Sequence, residues 1–298
     1  MKKFILDLTV TENIKLHANY VLLKLTSQSL LPEMLPGQFA ELRVDGSPTT
    51  FLRRPISINF VDKQRNEVWF LIQLLGDGTR RLAEVNPGDV INVVLPLGNG
   101  YTMPQNPSDK LLLVGGGVGT APVYPQVKWL HEHGVDCDVI MGSKTKDLLI
   151  LVEEMRKVAT NLYVTTDDGT YGFHGMGTNQ LQELWDKGVR YDHCVAIGPM
   201  IMMKFVCKLT KELGIPTVVS MNPIMVDGTG MCGACRLVVG GEVKFACVDG
   251  PEFDGHQVDF DQAMKRQLQY KTEEGRAMLK LQEGNTHHGG CGQCGGDK

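Results

Sequence analysis

Two patterns of apolar spacing divide the chain. Residues 4–10, 20–26, 38–44, 51–60, 67–74 and 90–95 are short runs rich in Val, Ile, Leu, Phe and Thr. Turns such as Pro36-Gly37, Asp45-Gly46 and Pro87-Gly88-Asp89 separate them. Six short strands with few helices predict a small β barrel or sandwich. After Asn106-Pro107-Ser108-Asp109 the pattern changes. Apolar runs at 111–114, 138–141, 162–165, 194–197 and 217–220 alternate with helix-length amphipathic segments. That alternation predicts an α/β unit with a five-stranded parallel sheet. Further on, 237–239 and 243–245 flank Gly240-Gly241 as a tight hairpin, and 261–281 reads as one or two charged helices. The expected units are 1–104, 105–221, 222–260 and 261–298.

Composition narrows the class. The chain has 298 residues, 42% of them hydrophobic, and a formal net charge of −4. Buried cores are expected, and there is no electrostatic case for binding nucleic acid. No apolar run reaches the length of a membrane span. The opening MKKFILDLTV is broken by Asp7 and is not read as a signal peptide. A cytoplasmic location is expected. Of the eight cysteines, Cys137, Cys194 and Cys207 sit in apolar surroundings and read as inert buried thiols. Of the others, Cys232 with Cys235 and Cys291 with Cys294 form short C-x-x-C units, which favours metal or redox work over a disulfide framework.

The most informative stretch is Asp227 to Cys247, with the spacing D-x4-C-x2-C-x11-C. The plant-type 2Fe–2S pattern is C-x4-C-x2-C with a more distant Cys. Here Asp227 stands at the first position, ahead of Cys232, Cys235 and Cys247. A carboxylate ligates iron as a harder donor than thiolate. Gly228, Gly230 and Gly233 let the backbone curl round an inorganic core. A zinc site with three Cys and one Asp fits the same donors, and three unrelated thiols are the bland reading.

Five other constellations carry chemistry. Arg54 lies in the apolar run Phe51-Leu52-Arg53-Arg54-Pro55-Ile56-Ser57-Ile58, where a guanidinium needs an anion such as a diphosphate. The turn Gly76-Asp77-Gly78-Thr79 opens a short helix whose first N–H groups suit phosphate. Gly115-Gly116-Gly117-Val118-Gly119-Thr120-Ala121-Pro122 follows a strand and precedes a helix, as a dinucleotide loop does, with Thr120 at the third glycine position. Thr166-Asp167-Asp168-Gly169 and Ile197-Gly198-Pro199-Met200 follow later strands at the edge where such sheets bind ligands. Each has a plain alternative: surface arginines, a hairpin turn, ordinary Asp–Gly and Gly–Pro turns. Lys144 reads as a solvated lysine, and His174 and His193 as structural or surface histidines.

Taken together, Pro36-Gly37-Gln38-Phe39, Arg54-Pro55-Ile56-Ser57, Gly78-Thr79 and the GGGVGTAP loop resemble the ferredoxin–NADP reductase superfamily. The resemblance implies a ferredoxin-reductase-like flavin barrel, a nucleotide-binding sheet and a small C-terminal 2Fe–2S domain. It implies that Arg54, Pro55, Ile56, Ser57, Gly78 and Thr79 hold FAD, with Ser57 near flavin N5 as the catalytic candidate. It further implies that Gly115, Gly117, Gly119, Thr120, Ala121, Pro122, Asp167, Asp168, Gly169, Gly198 and Pro199 bind NAD(H), with NADP(H) not excluded.

The order of segments resembles the electron-transfer subunit of type B dihydroorotate dehydrogenase. With Asp227 at the first ligand position, it is more similar still to two relatives. They are the small subunit of NADH-dependent reduced ferredoxin:NADP oxidoreductase and the matching subunit of sulfide dehydrogenase. By that resemblance Asp227, Cys232, Cys235 and Cys247 are the metal ligands. The partner is then a larger flavin and iron–sulfur subunit in a heterodimer or higher assembly. Ferredoxin is reached through that complex, and no membrane or nucleic-acid partner is expected. The functions in play are the ferredoxin:NADP type, the sulfide or dihydroorotate type, and a zinc-stabilised nucleotide-binding regulator. The tail, with His287, His288, Cys291 and Cys294, reads as glycine-rich and disordered, with zinc or a further cluster as the alternative.

Overall fold

The computed structural model describes residues 2–17, 19–47, 50–101, 106 and 108–283. His287, His288, Cys291 and Cys294 lie outside the described residues. The first unit holds β1 (Phe4–His17), β2 (Tyr20–Thr26), β3 (Phe39–Leu42), β4 (Arg54–Asp62), β5 (Glu67–Gln73), α1 (Asp77–Leu82) and β6 (Val90–Leu97). The strands form a closed antiparallel barrel in the order β1-β2-β5-β4-β3-β6, with β6 returning to β1. Alternate side chains point inward, so Leu8, Leu23, Phe70, Ile72 and Leu95 are fully buried inside it.

Two barrel strands differ from the apolar pattern. β1 continues to His17 because its pairing with β2 runs on through Asn13↔Leu23. Its polar second half is held otherwise: Glu12 pairs with Lys24 at 3.0 Å, and Asn13 Nδ2 donates to the Ala83 and Val85 carbonyls at 2.9 and 2.8 Å. Conversely, Phe51 and Leu52 stay outside β4 and remain exposed.

The second unit contains β7 (Leu111–Gly116), α2 (Thr120–Glu132), β8 (Cys137–Ser143), α3 (Val152–Arg156), β9 (Asn161–Thr166), β10 (Phe173–His174), α4 (Gly177–Asp186), β11 (His193–Ile197), α5 (Met200–Glu212) and β12 (Thr217–Ser220). The rest comprises β13 (Arg236–Val239), β14 (Glu242–Phe245), β15 (Glu252–Asp254), α6 (Phe260–Gln267) and α7 (Lys271–Glu283). The five expected strands are parallel neighbours in a sheet ordered β10-β9-β8-β7-β11-β12-β15. Every residue of β7 is buried, as a strand covered on both faces must be. The short β10 adds in parallel at one edge, and β15 adds antiparallel to β12 at the other. β15 thus stitches the C-terminal segment onto the parallel sheet. The hairpin β13–β14 forms as expected, with Gly240 and Gly241 at φ +60° and +82°.

The strand order reverses between β7 and β11, which opens a crevice at the carboxyl edge of the sheet. Three contacts fix the units around it. Tyr20 and Leu71 of the barrel pack on Ala121 and Ile150. Phe39 and Leu97, at the barrel's edge, share one core with Met203, Val219, Cys235 and Cys247. Helix α6 packs on α5 and carries an ion pair between Lys204 and Asp261 at 2.6 Å. Among the described residues no helix is long and apolar enough to cross a membrane.

Phe70 is the largest fully buried side chain in the barrel. Phe70→Ala is expected to destabilise the protein by about 3–5 kcal/mol, read as a lower urea midpoint. A loss below about 1 kcal/mol would mean that the barrel core is not packed as described.

Candidate functional site

The barrel face next to the sheet is built on β4. Arg54 opens that strand, half-buried, and its guanidinium lies in the space left by Gly78. A Cβ on Gly78 would stand 2.5 Å from Arg54 Nε. The two motifs are therefore one cradle, and only glycine leaves room for the arginine. Arg54 Nη1 donates to the Arg53 carbonyl at 3.0 Å, and among the described residues Arg54 has no ion pair. Burial pulls its pKa down, against the pull of Glu41 and Asp77. An under-compensated guanidinium beside a helix start fits a diphosphate.

Thr79 does something different from lining that space. Its hydroxyl accepts the Leu75 and Gly76 N–H groups at 2.9 and 3.2 Å and donates to the Gly76 carbonyl at 3.1 Å. It shapes the turn from within. Asp77 holds the turn to the neighbouring loop by accepting Ser47 Oγ and Thr50 Oγ1 at 2.6 and 3.1 Å. Pro55 pairs with Glu41 and Ser57 with Phe39 across β3, while Ile56 packs against the barrel core. Asn59, two residues past Ser57, donates to the Ala121 carbonyl at 2.8 Å. That bond fastens the β4 strand to the start of α2, directly after the glycine loop.

The glycine loop, the Asp–Gly turn and the Gly–Pro turn meet at the carboxyl edge of the sheet. Gly115 and Gly116 end β7, Gly198 and Pro199 follow β11, and Asp167 to Gly169 follow β9. A Cβ on Gly119 would lie 2.2 Å from the Ile197 carbonyl oxygen. The loop therefore passes backbone to backbone against the Gly198 turn. Gly117 adopts φ +55°. Thr120, Ala121 and Pro122 are buried at the start of α2. The Asp167 N–H donates to the Ser143 carbonyl at 3.0 Å, which ties the ends of β8 and β9 together. Asp168 accepts the Thr170 hydroxyl and N–H at 2.7 and 3.0 Å, and these bonds hold its carboxyl below the usual range. His193 starts β11, so it lies at the opposite edge, 3.4 Å from Asp109. His174 packs under Gly169.

The Asp227–Cys247 loop places its four candidate donors in two pairs. Cys235 and Cys247 are buried with their sulfurs 3.3 Å apart. Asp227 and the exposed Cys232 form the other pair, linked by the Cys232 N–H donating to Asp227 Oδ2 at 3.1 Å. Asp227 also accepts the Thr229 and Met231 N–H groups at 2.8 and 3.1 Å. Burial alone would raise its pKa, but the three amide bonds outweigh it and hold the carboxylate ionised below the usual range. Burial, then the hydrogen bond with Cys235, pushes the Cys247 thiol up to about 12. Among the described residues no three His, Cys, Asp or Glu side chains converge on one metal-ion position. Two donor pairs suit a two-iron group better than the single tetrahedral ion of the zinc alternative. The three remaining described cysteines, Cys137, Cys194 and Cys207, are buried, and burial raises each pKa.

Composition and spacing did not single out Glu41. It is fully buried on β3, and neither carboxyl oxygen has a hydrogen-bond partner. It faces the cluster loop at Gly228, whose φ is +69° and whose Cβ would stand 2.9 Å from Glu41 Cγ. Burial raises its pKa to about 7, against Arg53 and Arg54, with Asp227 pushing the same way as burial. The one available signal was a glutamate in the otherwise apolar run Phe39-Ala40-Glu41-Leu42.

Comparison with known proteins agrees with this architecture. Residues 222–259 match the family model described as the iron-sulfur cluster binding domain of dihydroorotate dehydrogenase B. A Clostridium beijerinckii protein described as "Uncharacterized protein in adh 3'region" is 58% identical over 271 residues, covering 88% of this chain and 90% of the relative. A Thermotoga maritima dihydroorotate dehydrogenase B (NAD(+)) electron transfer subunit homolog is 42% identical over 249 residues, covering 83% and 86%. A solved chain from NADH-dependent reduced ferredoxin-NADP oxidoreductase, studied for flavin-based electron bifurcation, is 38% identical with a TM-score of 0.84. That match covers 92% of this chain and 98% of the solved one. These likenesses define the class as a ferredoxin-reductase-like oxidoreductase module with an added iron–sulfur segment. Within it, the chain belongs to the family of dihydroorotate dehydrogenase B electron transfer subunits.

The isolation of Glu41 gives a pH signature. Below its ordinary pKa of 4.5 the carboxyl is protonated in both folded and unfolded chains and imposes no penalty. As pH rises towards 7 the unfolded chain releases the proton while the folded one keeps it, so stability falls. Above that range the penalty is complete, at roughly 3 kcal/mol. Glu41→Gln is expected to match wild type near pH 4.5 and to be the more stable above pH 7 in urea titrations. A stability difference independent of pH would contradict the unpaired carboxyl.

Proposed function

We propose that the barrel carries FAD, the sheet crevice binds NAD(H), and the Asp227–Cys247 loop holds a 2Fe–2S cluster, so that the chain relays electrons to a partner subunit. The complex proposed is of the ferredoxin:NADP transhydrogenase type. When bound, the nicotinamide supplies or accepts hydride, the flavin converts between the pair and single electrons, and the cluster carries single electrons.

The chain's own residues supply position and charge. Arg54 and the Gly78 turn provide the cationic cradle for the flavin dinucleotide's diphosphate. Ser57 presents a hydroxyl on the strand that Asn59 anchors to α2, so flavin and nicotinamide sites are held at one junction. The Gly115–Pro122 stretch and the Gly198 turn form the walls for NAD(H). Asp227, Cys232, Cys235 and Cys247 are the iron ligands. Cys235 and Cys247 share a core with Phe39 and Leu97, which places that loop on the barrel edge next to β4. This shared packing of the three motif groups is the observation that carries the proposal.

A second outlet has its own support, because the Thermotoga maritima relative is described as a dihydroorotate dehydrogenase B subunit homolog. The same module would then serve dihydroorotate oxidation, or sulfide chemistry, on the partner. Anaerobic native co-purification separates the outlets. The complex would be assayed with NADH, NADPH, ferredoxin, polysulfide and dihydroorotate. NADH-linked ferredoxin and NADP turnover is expected. Turnover of dihydroorotate alone would replace the first outlet with the second.

Two substitutions test the ligands. Asp227→Cys is expected to retain the cluster but change its potential, because ligand hardness and charge set it. An unchanged potential in a redox-monitored EPR titration would remove Asp227 from the ligand set. Arg54→Ala is expected to weaken FAD binding on the order of tenfold or more, the worth of a charged hydrogen-bonded contact, as measured by flavin release on dilution. Unchanged retention would exclude Arg54 from the diphosphate site.

A further inference from the structure

Two glycines at the sheet's carboxyl edge have no backbone reason to be glycine. Gly116 sits at φ −114°, ψ 120°, ordinary extended geometry that any residue adopts. Gly198 is not among the positive-φ glycines either. What both positions lack is space. A Cβ on Gly116 would lie 2.3 Å from Met202 Sδ, and one on Gly198 would lie 2.8 Å from Met202 Cε. A Cβ on Gly198 would also stand 3.1 Å from the Gly116 carbonyl oxygen. One methionine thus fills the gap that both missing side chains leave.

Met202 is distinct from its neighbours on α5. Met200 and Met203 are buried in the shared core, whereas Met202 is half-buried at its margin, in the first turn and over the two glycine turns. A thioether on an unbranched chain is polarizable and adapts to irregular gaps, and it favours contact with flat aromatic rings. We infer that Met202 is a positioning residue of the nicotinamide site: it sets the spacing between the Gly116 and Gly198 turns and forms the apolar wall of the slot they enclose. This rests on the NAD(H) site assigned above. It adds the residue that determines the slot's width and the reason for glycine at 116 and 198.

The test is a compensating pair in the full chain loaded with its cofactors. Gly116→Ala pushes a methyl into the thioether, and overpacking of this kind is expected to raise KM for NADH on the order of tenfold. Met202→Ala empties the slot and is expected to raise KM as well. The double variant Gly116→Ala/Met202→Ala exchanges one group for the other, so its KM is expected to fall back towards wild type. Flavin content and reduction of the flavin by dithionite report on the rest of the protein and are expected to stay constant through the series.

A double variant no better than Gly116→Ala, or Met202→Ala with unchanged KM, would overturn the assignment. If Gly116→Ala does not fold, Met202→Leu and Met202→Gln decide it. Leu is expected to retain KM and Gln to raise it, and equal KM values for both would overturn it. A wild-type protein whose flavin NADH does not reduce, while dithionite does, would instead remove the nucleotide site itself.

Discussion

The structure depends on how closely backbones approach one another at the barrel edge and at the sheet's carboxyl edge. Arg54 occupies the volume missing from Gly78, the Gly115–Pro122 stretch rests on the Ile197 carbonyl, and the cluster loop rests at Gly228 on Leu97 and Glu41. Each approach is within van der Waals limits only because a Cβ is absent. Electron transfer needs its centres near one another. In this chain the close approaches fall at glycines, where the units touch. The apolar core shared by Phe39, Leu97, Cys235 and Cys247 then holds the junction closed.

Charge follows the same junction. Arg53 and Arg54 favour the ionised form of the unpaired Glu41, and Asp227 opposes it. Asp227 is kept ionised by three backbone N–H groups, so it is prepared as a hard anionic donor before any metal is considered. Cys235 and Cys247, by contrast, are buried in the core shared with the barrel edge.

Much of this was legible in residue order. The barrel strands and the parallel sheet follow from period-two alternation and from apolar runs separated by helix-length segments. The cradle at Gly78 was foreshadowed by an arginine in an apolar strand and a glycine turn further along. Other features could not be read. β15 is three residues with two acids, too short and polar to announce a sheet edge. The role of Thr79 inside its turn depends on which hydrogen bonds its hydroxyl chooses. Glu41 is isolated by a loop far away in sequence, and Met202 looks like any other core methionine until Gly116 and Gly198 are seen against it. Local pattern specifies elements, whereas these features arise from tertiary approach.

The central claim is that one chain connects nicotinamide, flavin and a two-iron cluster. Its most direct test is an anaerobic NADH titration of the isolated chain, followed together by visible absorption and EPR, with iron and zinc quantified on the same sample. Flavin bleaching, a cluster EPR signal that grows with it, and two irons per chain with no stoichiometric zinc are expected. Flavin bleaching without any cluster signal, or a colourless protein holding one zinc, would contradict it.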